Sequence, residues 1–489
     1  MFRFLPTPRA IKRSMQQNRF WKLLGLASLV LLSSAKVTAE PLVRMQTDFG
    51  DFFINLTPQQ APLTVENFLT YVNSGAYDDS FFHRNPRTGG DPLSRFVLQG
   101  GEAFWPQGSS GFFSIPENPP VVNEFNVSNT RGTVAMAKLD GNPDSATNNF
   151  FINLVDNGAN LDNQNGGFTV FGTVDAAGLE VIDTIAALPV GSDLTVGFAD
   201  IPSNTGIAFT ALTSRNDVVI INSAEEFTTV APPAAAILPA SRSVSVNDAA
   251  TGFATIANGG TETAASCSMA PSTEIAADFF YRQTNPTTNE AFGRNNPQVD
   301  IPAGGSASFV FTITPTEPLD PTNITFEFRC GNATSTAALV PGVNTFDLAA
   351  SNSPLADVVA LAGTEESNGI NDIPLSVRSG AFVVATFNLG ATEDITVAAD
   401  TGDANLPLDL FVCPTDATTG ACLEGQGPAL SVTRTMATNE PGTFAVFAQL
   451  REGANSVAFD PTNNRAFVRF TNSAGALRGS TSVALRTTQ

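Results

Sequence analysis

Short runs of extended-strand pattern, each cut off by glycine or proline, constrain this 489-residue chain more than any other feature. In Ser308-Phe309-Val310-Phe311-Thr312-Ile313, and again in Ala381-Phe382-Val383-Val384-Ala385-Thr386-Phe387, β-branched and aromatic residues take alternate faces of an extended backbone. With 39 Gly and 32 Pro, such runs stay short and turn often, which disfavours long helices. Hydrophobic residues make up 42% of the chain, enough for real cores, and the length suggests roughly three domains. The expectation is a mainly β protein.

Residues 41–225 form one compositional block, holding most of the aromatic and Asn-rich segments. Two helices are predicted there. The first follows Pro62 and runs to Asn73, with Val65, Phe68, Leu69 and Val72 on one face and Gly75 as a stop. The second spans 176–188, with Leu179, Ile182 and Ile185 on one face. Strands are predicted at 43–47, 51–56, 80–84, 95–99, 132–137, 150–154, 169–174 and 218–223. Short strands with two helices suggest a closed barrel capped by helices. Residues 226–240 are rich in Ala and Pro and predict a stiff linker. Residues 241–347 predict an Ig-like β-sandwich, and 348–489 a second β-sandwich module. No clear internal repeat connects the two.

Residues 1–22 carry Arg3, Arg9, Lys12, Arg13, Arg19 and Lys22 and no acid. The apolar run 23–32 follows, then small residues ending in Val37-Thr38-Ala39. This layout predicts a signal peptide, residues 1–39, cleaved before Glu40. The competing reading is an uncleaved anchor, but the run is half the ~20 residues a span needs. Cleavage removes seven basic residues and no acid, moving the formal charge from −21 to −28 and leaving Lys138 as the sole lysine. Such a surface repels nucleic acid and anionic lipid, so neither nucleic acid nor membrane is expected as a partner after signal cleavage. An exported protein, periplasmic or extracellular, is expected.

All four cysteines lie outside the first block. In an oxidising compartment the economical pairing is Cys267 with Cys330 and Cys413 with Cys422, one bridge per accessory module. Zinc is disfavoured by the spacings and by the distance of the single histidine, His83. The Asp-rich stretch 400–403 lacks the regular ligand spacing of a calcium loop. No metal is expected.

Five separated segments carry the chemistry. They are Phe81-Phe82-His83-Arg84, Phe96-Val97-Leu98-Gln99-Gly100-Gly101, Gly132-Thr133-Val134-Ala135-Met136-Ala137, Ser145-Ala146-Thr147-Asn148-Asn149-Phe150-Phe151-Ile152-Asn153, and Asn160-Leu161-Asp162 with Phe168-Thr169-Val170-Phe171-Gly172. An insertion-like stretch, 85–95, separates the first two. In these segments the chain resembles the cyclophilins, from residue 41 to about 225, in order and with family spacing. The Ser-Ala-Thr-Xaa-Xaa-Phe-Phe-Ile-Asn form is similar to the bacterial branch.

The resemblance implies an eight-stranded cyclophilin-like barrel with two capping helices. It implies peptidyl-prolyl cis–trans isomerase activity, no cofactor, and proline-containing unfolded or extended polypeptides as partners. Arg84 takes the place of the catalytic arginine, with Gln99 orienting it and Asn149 beside it. Phe96, Val97, Phe151, Leu161 and Phe168 take the proline pocket, and the backbone of Ala137 and Lys138 aligns an extended substrate. The chain departs from the family at four positions. Val97 replaces the usual methionine and Asn149 the usual glutamine, while Phe168 replaces a histidine common in eukaryotic members. Asn160 replaces the tryptophan associated with cyclosporin sensitivity, which predicts weak cyclosporin binding. His83 is expected to be structural and hydrogen-bonded, pointing away from Arg84. Trp105, Phe112 and Phe113 are expected in a loop hydrophobic cluster.

The expected function is assistance to the folding of exported proteins. The alternative is a catalytically weak protein that binds proline segments, or an adhesion or scaffold protein acting through its β-sandwich modules. The modules' ligand is unknown.

Overall fold

The computed structural model describes residues 41–86 and 95–489. The expected signal peptide, 1–39, and residues 87–94 of the insertion-like stretch lie outside the described residues.

Twelve strands and three helices run from Leu42 to Phe227. They are β1 (Leu42–Thr47), β2 (Gly50–Leu56), α1 (Pro62–Asn73), β3 (Ser80–Phe81), β4 (Val97–Gly100), β5 (Ala103–Phe104), β6 (Phe113–Ser114), β7 (Thr133–Met136), β8 (Phe150–Asn153), α2 (Gly158–Leu161), β9 (Val170–Val174), α3 (Ala176–Ala187), β10 (Val190–Asp193), β11 (Phe198–Pro202) and β12 (Ile220–Phe227). The main sheet runs β4-β8-β7-β9-β2-β1-β12-β3, with β5 and β6 added beyond β3. Its two ends meet. The His83 N–H donates to the Gln99 carbonyl at 3.1 Å, and the Gln99 N–H donates to the Arg84 carbonyl at 2.8 Å. An antiparallel bridge pairs Arg84 with Gln99 and closes an eight-strand circuit. The expected strand 80–84 is thus a two-residue strand plus this isolated bridge.

Alternation along each strand fills the barrel. Phe82, Leu98, Phe150, Ile152, Val134, Met136 and Phe171 point into one core with Val43, Met45, Phe52 and Ile54. Both long helices pack on that core. α1 begins at a proline that needs no N–H partner, and buries Val65, Phe68 and Val72. The Asp175 side chain caps α3 by accepting from the Gly178 N–H, and the helix buries Ile182 and Ile185. The four-residue α2 and the β10–β11 hairpin were absent from the sequence reading. The hairpin pairs Val190 with Pro202 and packs Phe198 and Ile201 beside Phe81, Ala103 and Trp105. Phe112 joins this cluster, whereas Phe113 is exposed.

Beyond the barrel lie two β-sandwiches. The first comprises β13 (Ala234–Leu238), β14 (Ser241–Ser245), β15 (Ala250–Ala257), β16 (Ala264–Pro271), β17 (Ala277–Thr284), β18 (Ala291–Phe292), β19 (Val299–Ile301), β20 (Ser306–Pro315), β21 (Leu319–Arg329) and β22 (Thr345–Ser351), in the sheets β13-β15-β20-β17-β18 and β14-β22-β21-β16-β19. The second comprises β23 (Val358–Gly363), β24 (Ile370–Pro374), β25 (Ser379–Asn388), β26 (Glu393–Asp400), β27 (Leu408–Pro414), β28 (Ser431–Met436), β29 (Pro441–Leu450), β30 (Arg465–Asn472) and β31 (Leu477–Thr488), and pairs β23-β25-β29-β27 with β24-β31-β30-β26-β28. Two sequence readings are corrected here. Residues 226–240 are not a spacer: β13 buries Ile237 and pairs with β15. The break at 347/348 falls inside β22, whose residues up to Ser351 pair with β14. The modules also share one topology despite unlike sequences, including a parallel pair between an early strand and the last one, β14 with β22 and β24 with β31. Disulfides join Cys267 to Cys330 in the first sandwich and Cys413 to Cys422 in the second. No helix among the described residues is long and apolar enough to cross a membrane.

The first sandwich docks directly on β1 and β2. Arg44, 7% exposed, donates to Asp300 at 2.7 and 2.8 Å and to Glu225 at 2.8 Å, with the Asp51 carboxylate 3.9 Å away. Burial opposes its charge, but Asp300, Glu225 and Asp51 outweigh that and hold the guanidinium above the usual arginine range. Ser266 donates to Asp51 at 2.6 Å. Leu42, Phe53 and Ala265 close an apolar patch around this cluster. The Phe53 ring lies flush on Gly331, where an added Cβ would fall 1.8 Å from Phe53 Cε2.

Gly331→Ala should therefore lever the barrel off the sandwich and destabilise the chain by roughly 1–3 kcal/mol. Gly259→Ala, where a Cβ meets nothing within 4 Å, should leave the urea midpoint unchanged. Equal midpoints for the two variants would contradict this packing.

Candidate functional site

The pleat that fills the barrel also builds its outer face. On β4, β8, β7 and β9 the residues between the core positions point outward. Gln99 pairs with Phe151, Phe151 with Ala135, and Ala135 with Val170. The closing bridge adds Arg84 beside Gln99. Arg84, Gln99, Phe151, Ala135 and Val170 thus form one row across the sheet, with strands about 4.8 Å apart.

Arg84 is exposed, and its Nη1 donates to Gln99 Oε1 at 3.2 Å. The residues on either side of it are clamped. His83 is buried with its ring centroid 5.7 Å from that of Phe198. The Asn85 N–H donates to the Asp200 carbonyl at 2.7 Å, and its side chain donates to the Ala186 carbonyl at 3.1 Å. The β10–β11 hairpin thus holds the backbone that presents Arg84. Gly101 lets the chain turn after Gln99: its φ is +91°, and a Cβ there would fall 2.3 Å from the Asn148 carbonyl oxygen.

Beside the arginine lies an apolar basin. Val97, Ala135, Phe151, Leu161 and Val170 are buried together, with Phe96, Ala137 and Phe168 half-buried at the rim. The Phe151 and Phe168 rings meet edge to face at 5.7 Å. A buried asparagine network holds the rim. Asn157 donates to the Phe96 carbonyl at 2.9 Å and to Asn153 Oδ1 at 2.8 Å. Asn153 donates to Asn129 Oδ1 at 3.1 Å, and Asn129 to the Phe168 carbonyl at 3.0 Å. The sequence reading missed Asn129, Asn153 and Asn157, although the Asn-rich composition of this block was the available signal. Asn160 is exposed.

The remaining expected residues sit differently. Lys138 Nζ donates to the carbonyls of Asn165 and Gly167 at 2.8 and 2.6 Å, and lies 4.9 Å from the centre of the Phe168 ring. Burial lowers its pKa, partly offset by Asp144. It braces the loop that carries Phe168. The Ala137 N–H is already engaged by the Asn149 carbonyl at 2.9 Å. Asn149 donates to Glu102 at 2.7 Å and to Asn148 Oδ1 at 3.1 Å, not to Arg84 or Gln99. It lines an adjoining groove of 720 Å³ with Gln99, Ala137 and Lys138.

The family description Cyclophilin type peptidyl-prolyl cis-trans isomerase/CLD matches residues 42–203. The peptidyl-prolyl cis-trans isomerase of Acinetobacter baylyi is 37% identical over 169 residues, 33% of this chain and 80% of that protein. Peptidyl-prolyl cis-trans isomerase A of Dickeya dadantii is 40% identical over 164 residues, 32% and 78% of the two chains. Peptidyl-prolyl cis-trans isomerase B of Escherichia coli is 38% identical over 158 residues, 31% and 87%. This chain belongs to the cyclophilin-type peptidyl-prolyl cis–trans isomerases. In this cyclophilin, the matched stretch ends before β12, and neither sandwich falls within it.

His83 adds a pH signature to this cyclophilin. Burial first, and the charge of Arg84 second, lower its pKa from 6.5 to about 3. Its Nδ1 has no hydrogen-bond partner among the described residues, contrary to the expectation of a hydrogen-bonded ring. The unfolded chain protonates this ring near pH 6.5, the folded chain only near pH 3. The unfolded state binds more protons between those values. The stabilising contribution is therefore complete above about pH 6.5 and is lost as pH falls toward 3. His83→Phe should flatten the acid limb of stability by about 1.4 kcal/mol per pH unit within that window. Urea midpoints between about pH 6.5 and 4.5 read this directly. Parallel acid limbs in the two proteins would refute it.

Proposed function

We propose that this cyclophilin accelerates Xaa–Pro isomerisation in unfolded or partly folded exported polypeptides, with Arg84 stabilising the twisted amide. The observation that carries the reading is the row in which Arg84, held by Gln99, stands beside Phe151 and the apolar basin.

The chemistry needs no nucleophile. The barrier of ~18–20 kcal/mol comes from amide resonance. A proline ring seated against Phe96, Val97, Phe151, Leu161 and Phe168 leaves its amide next to the guanidinium. There a donor directed at the prolyl nitrogen favours its pyramidal, twisted form over either planar isomer. That is selective binding of the transition state. Gln99 takes up one Nη of Arg84 and fixes its orientation, leaving the other donors for substrate. Val97 makes the pocket floor smaller than the usual methionine would. The extended flanks of the substrate align along the remaining backbone groups of residues 137 and 138, and Asn149 shapes the adjoining groove. On this reading, residues 1–39 are a signal peptide. Residues 41–225 are the isomerase domain, acting in the periplasm or outside the cell, and the sandwiches are accessory modules that hold the barrel and contact clients.

Arg84→Ala should lower kcat/KM by about 10²-fold or more in an exchange-NMR or protease-coupled assay on residues 40–489. Gln99→Ala should lower it less, and a prolyl peptide should still perturb the Phe96 and Phe151 resonances in both variants. Full activity in Arg84→Ala would remove the proposed mechanism. Binding without exchange enhancement at substoichiometric wild-type protein would favour the proline-binding alternative. Cyclosporin should inhibit weakly, and Asn160→Trp should strengthen inhibition.

A further inference from the structure

Most described arginines are satisfied within the fold, by carboxylates such as Asp300 and Asp357 or by carbonyls such as Gly293. Arg294 and Arg329 are the exceptions: among the described residues neither guanidinium has a hydrogen-bond or ion-pair partner. Both line one groove of 420 Å³ on the seam between the barrel and the first sandwich. Arg329 ends β21 (Leu319–Arg329), and Arg294 follows β18 (Ala291–Phe292).

Three further features define the groove. Phe279 and Tyr281 of β17 (Ala277–Thr284) form its sandwich wall, and Phe49 and Val181 its barrel wall. Asn295, Asn296 and Gln298 add amides at its edge. The acids nearby do not neutralise the arginines. Asp48 accepts from Asn222 at 3.2 Å and from the Ile220 N–H at 3.4 Å, and Glu327 lines the adjoining groove without pairing with Arg329. Both guanidiniums lie near enough to oppose the rise in pKa that burial gives the Tyr281 hydroxyl. Against a net charge of −21, two unpaired guanidiniums lining one groove are a local exception, although Asp48 lines the groove with them.

We propose that this seam docks a short acidic segment of a polypeptide, its carboxylates held by Arg294 and Arg329 and its apolar side chains against Phe49, Val181 and Phe279. Guanidinium forks suit carboxylates bidentately. The half-apolar walls suit the side chains of a peptide better than a bare anion. A long polyanion would run from the groove onto the surrounding acidic surface, which excludes nucleic acid as the occupant. Because the seam and the Arg84 row belong to one docked body, a polypeptide bound here presents its other prolines to Arg84 at raised effective concentration. That last consequence alone rests on the isomerase reading.

The test uses residues 40–489 and a fluorescein-labelled peptide of alternating Glu and Phe, measured by anisotropy at low and high salt. Its Gln-for-Glu counterpart and inorganic phosphate serve as comparison probes. The expected result is binding that weakens with salt and falls at least tenfold for the Gln peptide and in an R294Q/R329Q double variant. The exposed R294Q alone should weaken it measurably without changing the urea midpoint. Hydrolysis-free exchange on a short prolyl peptide should be unchanged in the double variant, which separates this site from Arg84. Equal affinity for both peptides, unchanged affinity in the double variant, or displacement by millimolar phosphate as effectively as by unlabelled peptide would overturn the proposal.

Discussion

Closure of the barrel rests on a single antiparallel contact between residues 83–84 and Gln99. Without it, the strands would form an open sheet with β4 at one edge and β6 at the other. The same contact brings Arg84 and Gln99 side by side, and their side chains hydrogen-bond. Fold and site are therefore joined at one point: the bond pattern that seals the core also sets the guanidinium beside the apolar basin. The clamps on either side, His83 against Phe198 and Asn85 onto Asp200 and Ala186, hold that contact in place. The cost is a buried imidazole whose Nδ1 has no partner among the described residues, and which destabilises the fold when acid charges it.

Much of this was legible in the sequence because a strand's two faces do different jobs. In Phe150-Phe151-Ile152-Asn153 the even positions fill the barrel, Phe151 walls the basin, and Asn153 anchors the asparagine network. Periodicity made the two long helices and most barrel strands readable, whereas the Arg84, Gln99, Phe151 and Leu161 grouping came from the resemblance to the cyclophilins. What stayed hidden depends on contacts between residues far apart in the chain. The hairpin from Val190 to Pro202 has a weak alternation of its own, and its purpose appears only once Phe198 meets His83. The Asn129–Asn153–Asn157 network links three loops and strand ends that no local pattern connects.

The linker reading failed for a similar reason. Pro232 and Pro233 do interrupt secondary structure, but the alanines after them are small enough to serve as an edge strand, and Ile237 supplies the buried anchor. Composition predicted a stiff spacer; pairing with β15 made it a strand. The shared topology of the two sandwiches was invisible because topology is carried by strand order, which unlike sequences can satisfy with different side chains.

Rigid docking gives these parts a common geometry. In the circuit β4-β8-β7-β9-β2-β1-β12-β3, the docking strand β1 lies four places from β8, on the far side of the barrel from Phe151. The sandwich thus covers the side of the barrel away from the Arg84 row. The Arg44 cluster explains why the attachment is specific. A guanidinium taken out of water is tolerable only where its carboxylates are all in place, and these come from both partners: Asp51 and Glu225 from the barrel side, Asp300 from the sandwich. Misdocked arrangements would leave that charge buried and unpaired. The penalty selects one orientation more sharply than the apolar patch of Leu42, Phe53 and Ala265 could alone. The sandwiches therefore hold a set place on the barrel, and Arg84 stays open to solvent.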